Sequence, residues 1–289
     1  MTWQIAITLQ ILMSSLMTMF TRHLTLSTKQ VFFGVGVASY FMVALCGLIF
    51  SVIYNHALPA LPSNAWVYIL IEGICIPSAW LIQYKLIGYI GAGNAITAST
   101  LNTISTALLG ILLLNEGITI SFIVGASLII TSTLITLRIH PDINHHSSAP
   151  FTFTLSLVLA SAALFATGMF FEKIAINTIG VWNYSAYGWG MQLIGAATLF
   201  ALFGRKEIPH INRKIIKNGL LLGLLTSIAG GLFIYALSMG NLSHTIIASS
   251  GKVAVTVLLA AVFLKERNNL PFRITAFTLS MIGLWLVVY

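Results

Sequence analysis

The chain has 289 residues, of which 58% are hydrophobic and only 7% are charged. A soluble domain carries about 25% charged residues, and the mean hydropathy here is +0.96. The sequence is therefore that of an integral membrane protein, which excludes a soluble enzyme, a nucleic-acid-binding protein and a secreted disulfide scaffold. In a membrane protein, the formal charge of +8 indicates basic cytoplasmic loops rather than a nucleic-acid partner.

Hydrophobic runs separated by turn or charge signals predict the architecture. A transmembrane helix needs about 20 apolar residues, whereas barrel strands alternate over about ten. The runs have the length of helices, and no basic residue precedes the first, so we expect it to stay in the membrane rather than act as a signal peptide. The predicted fold is all-α and integral to the membrane, with ten transmembrane helices over residues 2–20, 31–54, 65–87, 94–114, 118–139, 151–171, 181–203, 217–237, 243–264 and 270–289.

The basic residues predict an orientation. Twelve Lys and Arg residues fall in the loops after the odd-numbered helices, and only Lys173 falls on the side where the chain begins. Because basic loops are retained in the cytoplasm, we expect both termini to lie outside it. The predicted location is the cell inner (plasma) membrane, with many crossings.

A polar connection divides the chain into two halves. Residues 140–150 form this linker between a first repeat, 1–139, and a second repeat, 151–289, each with five predicted helices. An odd number of crossings makes the second half enter the membrane from the opposite side, so similar halves form an inverted repeat. Residues 96–116 align with 246–266 at an offset of 150, with identities that include Ala98/Ala248, Ser99/Ser249 and Glu116/Glu266.

Several short motifs in these halves resemble a known family. Three segments are similar to the EamA repeat of the drug/metabolite transporter superfamily. They are the start of the fourth predicted helix, the entry Gly91-Ala92-Gly93-Asn94-Ala95; its end, Leu114-Asn115-Glu116-Gly117; and the corresponding end of the ninth predicted helix, Leu264-Lys265-Glu266-Arg267. Tyr84 before the first entry and Tyr235 before the second fit the same pattern. The resemblance covers the whole chain and implies a transporter with a central cavity between the halves; it implies no particular substrate.

Ionisable residues inside predicted helices are the candidate functional residues, because a charge at the centre of a membrane helix costs about 2.5–3.5 kcal/mol on insertion scales. Lys252 lies near the middle of the ninth predicted helix and Glu72 lies inside the third. Both lie roughly 11–14 Å from the same membrane side. We expect them either to form a structural ion pair or to face a substrate, with Lys252 as the counter-ion of an anionic group and Glu72 as an alternative proton carrier.

Four further residues complete the predicted substrate site. Asn102 aligns with Lys252 in the repeat and places a second polar group near the midplane, where repeat transporters bind substrates. Trp80, Tyr84 and Tyr235 belong to the same group of helices and are candidates for an apolar wall, although packing is the commoner role of aromatic residues. Gly73 and Pro77 predict a kink beside Glu72.

Other residue groups favour structural roles. An aromatic interface belt is the interpretation of Trp182, Tyr184, Tyr187 and Trp189. The linker residues His140, Asp142, His145 and His146 lack the geometry of a metal site, so we expect no metal. Glu116 and Glu266 end their helices and are interpreted as caps of the next helix.

These observations favour a secondary transporter that moves a small polar metabolite by alternating access. Lys252 favours a substrate with an anionic group, such as an amino acid. The alternatives are a drug or lipophilic-cation exporter of the same superfamily and a non-transporting scaffold or channel. We expect no enzymatic activity and no cofactor; the expected partners are the substrate, membrane lipids and a coupling proton or ion, and no nucleic acid.

Overall fold

The structure is a computed structural model that describes residues 2–27, 32–55, 61–138, 151–253, 255–256, 259 and 270–288. Every regular element in these ranges is helical. The helices are α1 (Trp3–Ser27), α2 (Phe32–Asn55), α3 (Ala65–Leu113), α4 (Ile120–Arg138), α5 (Phe151–Ile179), α6 (Val181–Leu199), α7 (Arg213–Met239), α8 (Leu242–Ser250) and α9 (Leu270–Val288). A π-helical turn, Phe200–Gly204, and a 3-10 turn, Arg205–His210, follow α6.

The described helices have the length and surface of membrane spans. Six are long and apolar enough to cross a bilayer, and Leu101–Leu113, Ile120–Ser132 and Ile274–Val287 are shorter apolar helices. Large apolar side chains face outward on several helices, among them Leu12, Phe41, Ile53, Ile194 and Trp285. An exterior of this kind is suited to lipid, which offers no hydrogen bonds to irregular backbone and so favours helices.

Helix α3 is longer than any single span. Its backbone is helical from Ala65 to Leu113, over 49 residues, where the sequence predicts two separate helices. A straight helix of that length extends about 73 Å, more than twice the hydrocarbon thickness of a bilayer, about 30 Å. Its contacts with neighbouring helices show how this length is accommodated.

The two ends of α3 lie on one face of the protein. Its first part runs beside α5 in the opposite direction, with Leu86 against Leu157 near the start of α5. At the other end of α5, the Lys173 ammonium donates to the Gly240 carbonyl at 2.8 Å, and Glu116, just beyond α3, accepts from the nearby Ser243 N–H at 2.8 Å. The chain therefore reverses direction between Leu86 and Leu101. We call residues 65–86 of α3 its first limb and residues 101–113 its second limb.

We call this face the N-terminal face, because α1 also begins there. A Cβ atom on Gly240 would lie 3.5 Å from the Trp3 ring. The end of α2 and the start of α6 meet there too, where Asn55 Nδ2 donates to Asn183 Oδ1 at 2.7 Å. Helices α1, α3, α4, α6 and α8 start at this face.

Helix α5 corrects the sequence prediction at one end. The sixth predicted helix stops at residue 171 because Glu172 and Lys173 follow, yet α5 continues to Ile179. Both charged side chains are buried in the structure, with 5% and 8% exposure. The helix continues because the Lys173 ammonium finds acceptors in the Leu237 and Gly240 carbonyls, at 2.5 and 2.8 Å, at the C-terminal end of α7 where a cation is favourable.

Polar caps fix several helix ends. Asn212 Oδ1 accepts from Ile215 N–H at 3.0 Å and starts α7, as expected of an asparagine before a helix. Asn115 has a positive φ of 51°, a conformation that asparagine tolerates better than most residues, and it ends the second limb of α3. Glu116 then accepts from the Leu242 and Ser243 N–H groups, so it caps α8 and not α4, the next helix along the chain, for which the cap was expected.

Candidate functional site

Glu72 lies fully buried on the first limb of α3. Its side chain has 0% exposure, and its Oε1 accepts a hydrogen bond from the Gln192 side-chain amide of α6. Its second oxygen, Oε2, is buried and has no hydrogen-bond partner. An unsatisfied buried carboxylate oxygen is costly, so Oε2 is a candidate position for a bound proton or ligand.

A second carboxylate accompanies it. Glu172 of α5 is buried and interacts electrostatically with Glu72, and the Tyr184 hydroxyl of α6 interacts with both carboxylates. Tyr184 is itself fully buried, and its hydroxyl lies near both carboxylates without the geometry of a well-formed hydrogen bond to either. We call Glu72, Glu172, Tyr184 and Gln192 the carboxyl cluster.

Helix geometry brings these side chains to the same depth. Glu72 lies seven residues after Ala65 and Glu172 lies seven residues before Ile179. At 1.5 Å per residue, each is about 10 Å from the N-terminal face. The antiparallel packing of the first limb against α5, with Tyr68 stacked on Phe171 at 6.0 Å between ring centroids, then places the two carboxylates together.

Pro77 changes the backbone beside the carboxyl cluster. It lies inside α3 and has no N–H, so the carbonyl of Gly73 four residues earlier loses its helical donor. Gly195 of α6 lies directly against this carbonyl, and only a residue without a side chain fits there. The backbone around Pro77 is therefore still helical, and the Gly73 carbonyl is freed from its helical hydrogen bond.

Among the described residues, no basic side chain forms an ion pair with the carboxyl cluster. Lys173 follows Glu172 in sequence, but its ammonium donates to backbone carbonyls of α7. The described part of the chain also contains no group of three or more His, Cys, Asp or Glu residues that could hold a metal ion. The linker histidines and Asp142 lie outside the described residues.

Lys252 forms no ion pair with Glu72 in the described part of the chain. It follows α8, ten residues beyond Leu242, or about 15 Å from the N-terminal face, and it is partly buried. Its backbone carbonyl accepts from Ser15 Oγ of α1 at 3.1 Å. Within the described ranges its ammonium takes part in no ion pair, so the alternative of a structural pair with Glu72 is not observed.

Polar side chains with unused acceptors lie in the helices around Lys252. Gln10 of α1 is 4% exposed, and its Nε2 donates to Ser14 Oγ at 2.8 Å while its Oε1 has no partner. Asn102 on the second limb is also 4% exposed, and its Oδ1 has no partner. On α9, Ser280 Oγ is 3.8 Å from the position of a Cβ atom on Gly251. This region offers one cation and several amide and hydroxyl groups.

Of the three aromatic candidates, Trp80 and Tyr235 have described side chains, and these pack in different cores. Trp80 is partly buried and packs against the core that includes Ile69 and Ile176. Tyr235 packs in a second core with Ala6 and Ile246, and its ring centroid is 6.5 Å from that of Trp182. The Tyr84 side chain lies outside the described residues.

The aromatic belt prediction is wrong for two of its four residues. Tyr184 is 0% exposed and Trp189 is 3% exposed, so neither faces the membrane interface. Trp189 packs edge-on against Phe50 at 6.4 Å between ring centroids and beside Gly230 of α7. Tyr184 turns inward to the carboxylates, a role that the pattern of aromatic residues does not indicate.

Sequence reasoning missed Glu172, Tyr184 and Gln192. Glu172 was assigned to a loop because it precedes Lys173, although apolar residues continue to Ile179. The available signal was that continuation, since four of the six residues that follow the two charges, up to Ile179, are apolar. Gln192 is uncharged and gave no signal of its own.

The helices define this chain as a multi-pass membrane protein, and comparisons with known proteins give its family. The model of the EamA-like transporter family matches residues 1–138 and again 152–289. The chain belongs to the EamA-like transporter family, which confirms the resemblance identified from its motifs.

Two other proteins are similar to this chain. A protein of Methanocaldococcus jannaschii, described as uncharacterized, is 30% identical over 133 residues, which cover 46% of this chain and 88% of that protein. A solved crystal structure of another protein superimposes with a TM-score of 0.79 at 14% identity, over 98% of this chain and 95% of that one. At this identity the second match supports the fold alone.

Proposed function

We propose that the protein is a secondary transporter that moves a small polar metabolite with an anionic group, such as an amino acid, by alternating access. The observation that carries the substrate class is Lys252, a partly buried cation at membrane depth that has no acidic partner among the described residues. A lone cation there is costly, and a carboxylate or phosphate of a substrate compensates it.

Neighbouring groups support an anion with further polar parts. The ammonium supplies a compact charge with three donors, while the buried oxygens of Gln10 and Asn102 have no donor of their own. A substrate that carries both an anionic group and N–H or O–H groups complements this set. An α-amino acid has that combination, whereas a purely apolar anion leaves the two amides unsatisfied.

Alternating access is supported by the way the helices pair. The first limb of α3 packs on α5 and on α6, and α7 packs in the same way on α1 and on α2. If the two halves are exchanged, the pair of the first limb with α5 becomes the pair of α7 with α1. The pair of the first limb with α6 likewise becomes the pair of α7 with α2. The pairs α2–α6, α4–α9 and second limb–α8 each contain two corresponding helices, so the exchange leaves them unchanged. We infer ten crossings in two inverted repeats, an arrangement that repeat transporters use to rock around a central site.

The proposed orientation places both termini outside the cytoplasm of the plasma membrane and the segment 204–217 inside it. The segment contains Arg205, Lys206, Arg213, Lys214 and Lys217. Reporter fusions at Tyr289 and near Lys214 test this, and a cytoplasmic signal from the Tyr289 fusion contradicts it.

A specific observation favours a second candidate, the export of a lipophilic cation. The carboxyl cluster has two buried acidic side chains and no basic partner within the described residues. A cationic substrate compensates that charge as an anionic one compensates Lys252. The two candidates therefore differ in which charged region the substrate occupies.

Thermal stabilisation of the purified protein by a metabolite library separates them. A ligand raises the apparent stability by mass action, so the hits report the ligand class. We expect anionic hits whose stabilisation is lost in Lys252→Met and retained in Lys214→Met, an exposed control. Cationic hits that survive Lys252→Met support the exporter, and a complete absence of hits across both classes supports a scaffold.

A further inference from the structure

The carboxyl cluster joins groups from both halves of the chain. Glu72 belongs to the first half, and Glu172, Tyr184 and Gln192 belong to the second. The direct link across this boundary is the hydrogen bond from the Gln192 amide to Glu72 Oε1. A movement of α3 relative to α6 therefore changes the surroundings of Glu72.

No positive charge among the groups that face Glu72 compensates the two carboxylates of the carboxyl cluster. Glu72 is 0% exposed and Glu172 is 5% exposed, and two ionised carboxylates repel each other strongly where water is excluded. The groups that face Glu72 are Cys75 on its own helix, Glu172 on α5, and Tyr184 and Gln192 on α6. None of these four supplies a positive charge, and the neighbouring Lys173 is bound to carbonyls of α7.

One proton resolves both the repulsion and the missing hydrogen bond. A carboxylic acid has an O–H donor, so a proton on either carboxylate removes one of the two negative charges, and on Glu72 Oε2 it turns a buried acceptor without a partner into a donor. The Tyr184 hydroxyl lies against both carboxylates and donates to whichever oxygen remains ionised. The Gln192 amide donates to Oε1 in either case.

We propose that Glu72 and Glu172 share one exchangeable proton and form the proton-coupling site of the transporter. The coupling role rests on the proposed transport function, whereas the shared proton does not. In uptake, a hydronium ion gives one proton to a carboxylate oxygen of the pair, an O–H bond forms and water is released. In release, the same O–H bond breaks and the proton passes to water on the other side of the membrane.

The groups favour a proton over a metal cation. Sodium and calcium ions are bound by several oxygen ligands that converge on one point. Here an amide N–H already occupies one carboxylate oxygen of Glu72, and a donor directed at the site opposes a cation. A shared proton needs only one donor and one acceptor oxygen.

Infrared titration of the purified protein tests the shared proton without any substrate. The carbonyl stretch of a protonated carboxyl group is followed from about pH 5 to about pH 9, a range that extends well beyond the ordinary titration of carboxyl groups. We expect the wild-type protein to show a protonated-carboxyl band that disappears within this range. We expect Glu72→Gln with Glu172→Gln to lose the band, and Glu207→Gln, outside the carboxyl cluster, to keep the wild-type titration.

The single variants test whether the proton is shared. If it is, Glu72→Gln and Glu172→Gln each alter the pH midpoint or the frequency of the band, because each removes one of the two partners. A band that changes in only one of them, or that persists in the double variant, overturns the proposal. Tyr184→Phe keeps both carboxyl groups and provides a milder test if the double variant does not fold; a band identical to the wild type there also overturns it.

Replacing choline chloride with sodium chloride at constant pH distinguishes the two kinds of ion. We expect no change in the band, and a loss of the band on adding sodium overturns the proton assignment. If the titration succeeds while the metabolite library yields no ligand, the proton site stands and the proposed substrate class fails. If a ligand is found but no shared band exists, the substrate class stands and the proton site fails.

Discussion

Two charged regions lie inside this protein, and their surroundings differ. Glu72 is held by Gln192 and stands beside a second carboxylate, in contacts that join three helices. Lys252 is anchored through its backbone carbonyl to Ser15, and its charge has no ionic partner in the described residues. In our proposal, one proton completes the hydrogen bonds of the first region, and an anionic ligand compensates the charge of the second. Similar depth in the membrane therefore does not imply a pair.

The largest expected effect comes from removing the cation. Lys252→Met eliminates the charge and keeps a side chain of similar length, so the loss is electrostatic. We expect the affinity for an anionic ligand to fall about 100-fold, or about 3 kcal/mol, as for the loss of one partner of a buried charge pair. Calorimetry with the ligand identified in the library measures this. Equal affinities in Lys252→Met and the wild type contradict the role of Lys252.

Gly195→Ala tests how closely α3 and α6 pack beside the carboxyl cluster. An added Cβ collides with the Gly73 carbonyl and lies 3.4 Å from Pro77. Because that atom is backbone, the helices must separate, and we expect the free energy of unfolding to fall by about 2–3 kcal/mol.

Gly190→Ala is the matched control on the same helix. A Cβ at Gly190 meets nothing within 4 Å, so alanine there gains helix propensity of about 0.5–1 kcal/mol without a collision. Thermal unfolding in detergent measures both variants. A Gly195→Ala protein as stable as Gly190→Ala shows that α3 and α6 are not closely packed at this point.

Lys173→Met tests the buried lysine that is structural in this account. It leaves the Leu237 and Gly240 carbonyls without their donor, which costs about 1–2 kcal/mol, and it leaves ligand affinity unchanged. Lys217→Met, an exposed position at the other end of α7, should change neither quantity. A Lys173→Met protein that keeps its unfolding midpoint but loses ligand affinity reverses the roles assigned to Lys173 and Lys252.

The smallest effect is expected at the cap of α8. Glu116→Ala removes the acceptor of the Leu242 and Ser243 N–H groups, and we expect the unfolding free energy to fall by about 1 kcal/mol, as for other helix caps. Glu116→Gln keeps one acceptor oxygen and should lose less. The two unfolding midpoints, measured side by side, check the order.

The sequence predicts the membrane class, the family and most helix positions because these depend on local hydrophobicity and short motifs. It also identifies Glu72 and Lys252, because charges are rare in an apolar chain. It misses Glu172 because hydropathy treats two adjacent charges as the end of a helix. The acceptors that keep Lys173 inside, at Leu237 and Gly240, lie 64 and 67 residues away in the chain.

The absence of an ion pair between Glu72 and Lys252 is likewise a tertiary property. Counting residues along each helix predicts similar depths, but depth says nothing about position around the helix bundle. Gln192, which carries no charge, decides where Glu72 points, and no pattern in the sequence singles it out. An uncharged residue that hydrogen-bonds a buried charge is therefore identified only from the tertiary structure.

Transport in proteoliposomes tests most directly whether the two charged regions have separate functions, ligand binding at Lys252 and proton coupling at the carboxyl cluster. The ligand identified in the library is followed in two assays: exchange with the same ligand inside, and net uptake driven by a proton gradient. We predict that Lys252→Met abolishes both, whereas Glu72→Gln and Glu172→Gln abolish only the proton-driven uptake. Exchange lost equally in the glutamate variants, or retained in Lys252→Met, contradicts this separation of functions.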